Sequence, residues 1–177
     1  MKYVWYVYQN VYTPSECEQI LSSCIDNKSD YYKDRGTDQK TVNVVSTETT
    51  KVDHLLTRFF NNVEQCNQEF FGYKLFGRPL TVNLNIYEND KNEYPYHRDA
   101  LDLGTACDIK LTAILNLSPD QYRGGEFEIF DGKDLVVPEI AAQGSMLIFP
   151  SFLFHRVKPV FGKRITISTW HVGPNWR

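Results

Sequence analysis

LTVNLNIY (residues 80–87) is the first of seven short runs rich in β-forming residues that fill the second half of the chain. After it come DIKLTAILNL (108–117), GEFEIF (125–130), LVVPEI (135–140), SMLIFPS (145–151), HRVKPV (155–160) and RITISTWHV (164–172), with turn residues between them. Runs spaced at roughly 8–12 residues predict an all-β sandwich or barrel, not a parallel α/β sheet, whose strands would alternate with helical stretches.

Upstream the pattern is helical. YVWYVY (3–8) reads as one more strand, and Thr13-Pro14 then opens a helix. Thr13 can cap it, Pro14 suits the first helical position, and Glu16 completes a capping box. Ile20, Leu21, Cys24 and Ile25 form its expected buried stripe. Residues 29–41 are polar and contain Gly36, so they read as a loop, and TVNVVS (41–46) as a short strand. From Thr50 to Phe71, Val52, Leu55, Leu56, Phe59, Phe60, Val63, Cys66 and Phe70 recur at helical spacing, and Gly72 provides a stop. His54 lies beside this stripe and is expected at the surface.

With 177 residues, 42 % of them hydrophobic and 14 % aromatic, the chain can bury one core. We expect a single domain over 1–177, with helical support in 1–78 and a β core in 79–177, since no repeat or linker divides it. A net charge of −3 gives no electrostatic reason to expect nucleic acid or an anionic membrane as partner. Gln9 and Asn10 interrupt the N-terminal apolar residues before an export signal forms, and no stretch reaches the roughly 18 apolar residues of a membrane helix. Cys17, Cys24, Cys66 and Cys107 form no CxxC pair, which fits reduced thiols and a cytoplasmic location.

YPYHRDA (94–100) raises the question of chemistry. About half of one HxD or HxE pair is expected by chance in a chain with four histidines and 22 acidic residues, so the motif alone proves little. In extended backbone, however, His97 and Asp99 point to the same side while Arg98 points away. A third ligand can come from His155 in SFLFHRV, flanked by Leu153 and Val157 on its own face. Two histidines and one carboxylate on a β scaffold form the facial triad of non-haem Fe(II) sites, although zinc can use the same ligands and His155 can equally be a hydrogen-bonded core histidine.

In FGKRITISTW, Arg164, Thr166 and Ser168 share one strand face, and Ile165 and Ile167 the other. A guanidinium directed inward needs an anionic partner, and arginine is suited to bidentate carboxylate recognition; a strand-end salt bridge is the plainer alternative. Lys163 alternates to the solvent side, Gly124-Gly125 reads as a tight turn, and His171 falls on the face opposite Arg164.

Taken in order, Tyr87, Tyr94, His97-x-Asp99, Gly124-Gly125-Glu126, Gly144, Phe149-Pro150, His155, Pro159-Val160, Gly162, Arg164 and Trp170 resemble the 2-oxoglutarate/Fe(II)-dependent dioxygenases. Within them the resemblance is to the prolyl 4-hydroxylase group, including the bacterial PKHD-type hydroxylases, and it covers roughly residues 80–173. It implies a mainly β fold with flanking helices, the double-stranded β-helix or jelly roll. It also implies His97, Asp99 and His155 as Fe(II) ligands, and Arg164 as partner of the distal carboxylate of 2-oxoglutarate, with Tyr87, Thr166 and Ser168 in the same pocket. Arg164 stands nine positions after His155, one short of the usual spacing in that group, and Lys163 is a lesser candidate for its role. O2 is the further cosubstrate and ascorbate a possible accessory.

The implied reaction is hydroxylation of an unactivated C–H bond with release of succinate and carbon dioxide. The implied substrate is a prolyl residue of a peptide or protein, with Tyr94, Tyr96, Arg35 and Trp170 as candidate contacts; the loop 29–41, with Tyr31 and Tyr32, is either a lid over it or an ordinary surface loop. Three other readings stay open at this level. A small-molecule hydroxylase would share these site residues, and a non-catalytic metal-binding β module would need no Arg164. A nucleic-acid dealkylase would carry a second arginine six positions after Arg164, where Trp170 stands.

Overall fold

A computed structural model describes residues 4–29, 41–100, 107–119 and 122–176. Its strands are β1 (Tyr6–Tyr8), β2 (Asn43–Glu48), β3 (Thr81–Tyr87), β4 (Asn92–His97), β5 (Cys107–Asn116), β6 (Arg123–Gly124), β7 (Phe127–Phe130), β8 (Asp134–Val136), β9 (Met146–Pro150), β10 (Phe154–Phe161) and β11 (Arg164–Pro174). The α-helices are α1 (Pro14–Asp26) and α2 (Thr49–Cys66).

The strands form two facing antiparallel sheets, ordered β1-β9-β5-β11-β3-β2 and β4-β10-β7-β8, with β6 joined to β10. This is the expected double-stranded β-helix, left open at its sheet edges, so the barrel alternative falls. Strand parity divides the larger sheet between two cores. Leu84, Leu111, Ala113, Leu115, Ile165 and Ile167 pack under the helices, whereas Tyr87, Ile114, Leu147 and Phe149 face the smaller sheet.

The helices form as their sequences dictate. Thr13 accepts from Glu16 N–H and Glu16 accepts from Thr13 N–H, closing the capping box. The buried stripe of α1 is Cys17, Ile20 and Cys24; Ile25, expected inside, is 47 % exposed. On α2, Val52, Leu56, Phe59, Phe60, Val63 and Cys66 are buried as expected and His54 is exposed. A single π turn at Asn67–Phe71 continues it to Gly72, whose φ of 70° ends it. No helix among the described residues is long and apolar enough to cross a membrane, and the four cysteines are thiols, none joined in a disulfide.

Three expectations need correction. LVVPEI is not one strand, because β8 stops at Val136 and Pro138 opens a 3-10 turn over Pro138–Ala141, proline having no N–H to donate to the ladder. Of the N-terminal run, only Tyr6–Tyr8 pairs among the described residues. Finally, β4, absent from the seven runs, pairs with β10 despite containing Pro95, which an edge strand tolerates.

Candidate active site

The pocket lies between the two sheets. His97 and His155 are direct partners across β4 and β10, with ring centroids 4.2 Å apart. Asp99, just past the end of β4, is anchored by its N–H to the Ser151 carbonyl at 3.0 Å. Its Oδ1 lies 3.7 Å from His97 Nε2 and its Oδ2 3.6 Å from His155 Nε2, and one ligating atom of each residue falls within 4.8 Å of the others. His97 Nδ1 meets the Pro95 carbonyl at 2.8 Å and His155 Nδ1 the Leu153 carbonyl at 3.0 Å. A carbonyl only accepts, so both Nδ1 atoms carry a proton, which leaves Nε2, the atom turned toward Asp99, as the ring nitrogen of each histidine able to ligate a metal. Two imidazoles and a carboxylate converging on one point fit a divalent metal of the Fe(II) or Zn(II) type.

Around this cluster, Tyr94 stacks on His97 at 4.0 Å, and Phe149 meets His155 edge-on at 4.7 Å. Thr112 on β5 donates to Asp99 Oδ2 at 2.6 Å. His155 is 5 % exposed and His97 27 %, so His97 marks the mouth of the pocket.

Arg164 opens β11 opposite Tyr87 of β3. It is 1 % exposed, its guanidinium lies 5.1 Å from the Tyr87 ring centroid, and its Nε has no hydrogen-bond partner. Among the described residues no carboxylate pairs with it. A buried cation with an orphaned donor fits an incoming carboxylate, as a 2-oxo dicarboxylate cosubstrate would supply. Burial pushes the Tyr87 phenol up to about 12, so it stays protonated and able to donate.

Of the residues singled out by sequence, His97, Asp99, His155, Arg164, Tyr87, Thr166, Ser168, Tyr94 and Trp170 line this pocket. Tyr96 does not: its hydroxyl donates to Asp134 at 2.9 Å and its ring carries Arg156 at 4.4 Å, on the outside of the smaller sheet. The reason is strand alternation, since Tyr96 adjoins the inward-facing His97; Val157 pairs with Tyr94 and His155 with His97, so β4 holds one extra residue, and this bulge turns Tyr94 inward as well. Arg35, and the proposed lid with Tyr31 and Tyr32, lie outside the described residues. Asn83, Asn85, Thr112 and Phe127 also line the pocket. For the two asparagines the signal was available: they share the parity of Tyr87 on β3.

A sequence profile of the 2OG-Fe(II) oxygenase superfamily matches residues 82–172, and the chain belongs to that superfamily. Its sequence is 32 % identical over 113 residues to a PKHD-type hydroxylase of Xylella fastidiosa, covering 57 % of this chain and 48 % of that one. It is 34 % identical over 91 residues to a PKHD-type hydroxylase of Idiomarina loihiensis, covering 50 % and 40 %. The chain spans about half the length of the curated relatives it matches. In fold it is similar to a prolyl-4-hydroxylase of Pseudomonas putida, with a TM-score of 0.70 at 16 % identity over 96 % of this chain and 92 % of that one. A prolyl hydroxylase of Trichoplax adhaerens, solved with a peptide fragment of the hypoxia inducible factor oxygen degradation domain, gives 0.67 at 17 % identity over 96 % and 84 %.

Proposed function

We propose that the chain is a single-domain 2-oxoglutarate- and Fe(II)-dependent dioxygenase that hydroxylates a C–H bond of a prolyl residue in a peptide or protein. The observation that carries this reading is the pairing of a His97–Asp99–His155 cluster with a buried Arg164 that has no carboxylate partner among the described residues, in one pocket. In this reading His97 Nε2, His155 Nε2 and Asp99 hold Fe(II). When bound, the metal with 2-oxoglutarate and O2 supplies the oxidising power, the keto acid leaving as succinate and carbon dioxide.

The protein's own contribution is positioning and exclusion of water. Arg164 takes the distal carboxylate of the cosubstrate through charge-assisted hydrogen bonds, and the Tyr87 phenol and Thr166 and Ser168 hydroxyls line its path. Phe149 and Phe127 shield His155 from solvent, while Tyr94 and Trp170 offer ring faces suited to a proline. The prolyl and PKHD-type hydroxylases among its relatives support the substrate class.

Anaerobic titration of metal-free protein with Fe(II) and then 2-oxoglutarate tests the reading through the visible charge-transfer band of the chelate. The band should form in wild type, vanish in Asp99→Ala and require far more 2-oxoglutarate in Arg164→Ala. Well-folded wild-type protein that gives no band would overturn the assignment in favour of a non-catalytic module.

A further inference from the structure

Asn83 and Asn85 stand two apart on β3, so both project into the pocket, and each is more than nine-tenths buried. Leucine would fill such positions on an inner sheet face without the desolvation penalty of an amide, so the amides call for a use. Each is only half satisfied. Asn85 Nδ2 donates to Ser168 Oγ at 2.8 Å and to the Asn83 main-chain carbonyl at 3.5 Å; since that carbonyl can only accept, the amide orientation is fixed and Oδ1 is left over. Asn83 Oδ1 accepts from Ser46 Oγ at 3.0 Å, which leaves Nδ2. Among the described residues neither leftover atom has a partner, and neither belongs to the wholly buried unpartnered atoms, so both are open to the pocket.

The wall therefore presents one donor and one acceptor. The cosubstrate cannot use both, because its carboxylates only accept and Asn85 Oδ1 would repel them. A secondary amide is the complement of such a pair. We propose that Asn83 and Asn85 read the backbone of an extended peptide substrate, Asn83 Nδ2 donating to a peptide carbonyl and Asn85 Oδ1 accepting the N–H of the residue after the target. The proposal rests on the oxygenase reading above, and it adds that the site selects peptide bonds as well as a side chain.

The test compares the blocked pentapeptide Ac-Ala-Ala-Pro-Ala-Ala-NH2 with its depsipeptide, in which lactic acid replaces the alanine after proline, so that an ester oxygen takes the place of that N–H. Binding is measured by anaerobic calorimetry on protein loaded with Fe(II) and 2-oxoglutarate, after the visible band has confirmed loading. The amide should bind wild type about tenfold more tightly than the ester, the ratio one hydrogen bond provides. In Asn85→Ala the two ligands should become equal, and Asn83→Ala should weaken both together. Equal affinities in wild type, or no binding of either ligand to loaded wild type, would overturn the proposal while leaving the oxygenase reading intact. A missing band would instead remove that reading and the proposal with it. Because the amide–ester comparison is made within wild type, it decides the matter even where a variant fails to fold.

Discussion

The Thr112 hydroxyl donates to Asp99 Oδ2 at 2.6 Å, joining the centre of the larger sheet to the carboxylate of the candidate metal cluster. Asp99 lies beyond the end of β4, its backbone held by the N–H bond to Ser151, so the threonine fixes the carboxylate and would set which oxygen is offered to a bound metal. Thr112→Val keeps the shape and removes the donor. Partners of this outer kind are worth about 10–100-fold in metal affinity, and we expect such a loss in Fe(II) or Mn(II) dissociation constants measured by equilibrium dialysis. Thr112→Ser should recover most of it; equal affinities in all three proteins would show the bond to be incidental.

Arg164 is expected to lower the stability of the empty pocket. A buried guanidinium with no counter-charge among the described residues is costly, whereas its contact with the Tyr87 ring returns only about 1–2 kcal/mol. Arg164→Met should therefore raise the Tm of ligand-free protein by about 2–4 °C, the shift that roughly 1 kcal/mol produces at this chain length. It should also remove most of the further stabilisation expected when 2-oxoglutarate is added to metal-loaded protein. Differential scanning calorimetry with and without the ligands reads both effects, and a lower Tm for the empty variant would contradict the argument.

Much of the site was legible because strand parity needs only local sequence. Arg164, Thr166 and Ser168 share the face predicted from RITIS, and His171 falls on the opposite one. What parity cannot supply is register and its interruptions. Tyr94 and His97 are three apart and share a face only because of the bulge in β4, which nothing in NEYPYH announces beyond Pro95, whereas the outward turn of Tyr96 follows from its place beside His97. Thr112 could not be linked to Asp99 by sequence, since their contact depends on where β4 ends relative to β5, and Asn83 and Asn85 passed as ordinary strand residues.

His171 is 3 % exposed under the helices, near the Phe60 ring at 6.2 Å and with Nε2 3.1 Å from Thr169 Oγ1. Burial lowers its pKa to about 4, against about 6.5 in an unfolded chain. The unfolded state therefore binds the extra proton first. Stability from this site should be complete above pH 6.5, fall progressively toward pH 4 and level off below it, with a total loss of about 3 kcal/mol. Urea unfolding of wild type and His171→Gln across that range checks this, the variant being expected to lose the slope between pH 6.5 and 4 attributable to this residue.

Glu128 is 3 % exposed on the outer side of the smaller sheet, where Arg156 approaches at 2.6 Å and Lys158 at 2.7 Å. Burial alone would raise its pKa, but hydrogen bonds from Lys158 and Arg156 outweigh that and hold it below the usual carboxylate range. Its contribution is present above the unfolded value near 4.5 and is lost as pH falls through the folded one. Removing the carboxylate leaves two neighbouring cations, but both keep access to water, so Glu128→Ala should cost about 1–3 kcal/mol, less than the roughly 3–5 of a fully buried pair. Tyr96 belongs to this cluster through Asp134 and Arg156. Tyr96→Phe should accordingly reduce stability slightly in urea and leave the affinity for a proline peptide at the wild-type value, whereas Tyr94→Ala, which removes the ring stacked on His97, should weaken it. A peptide-binding defect in Tyr96→Phe would place the substrate across the outer sheet instead of in the pocket.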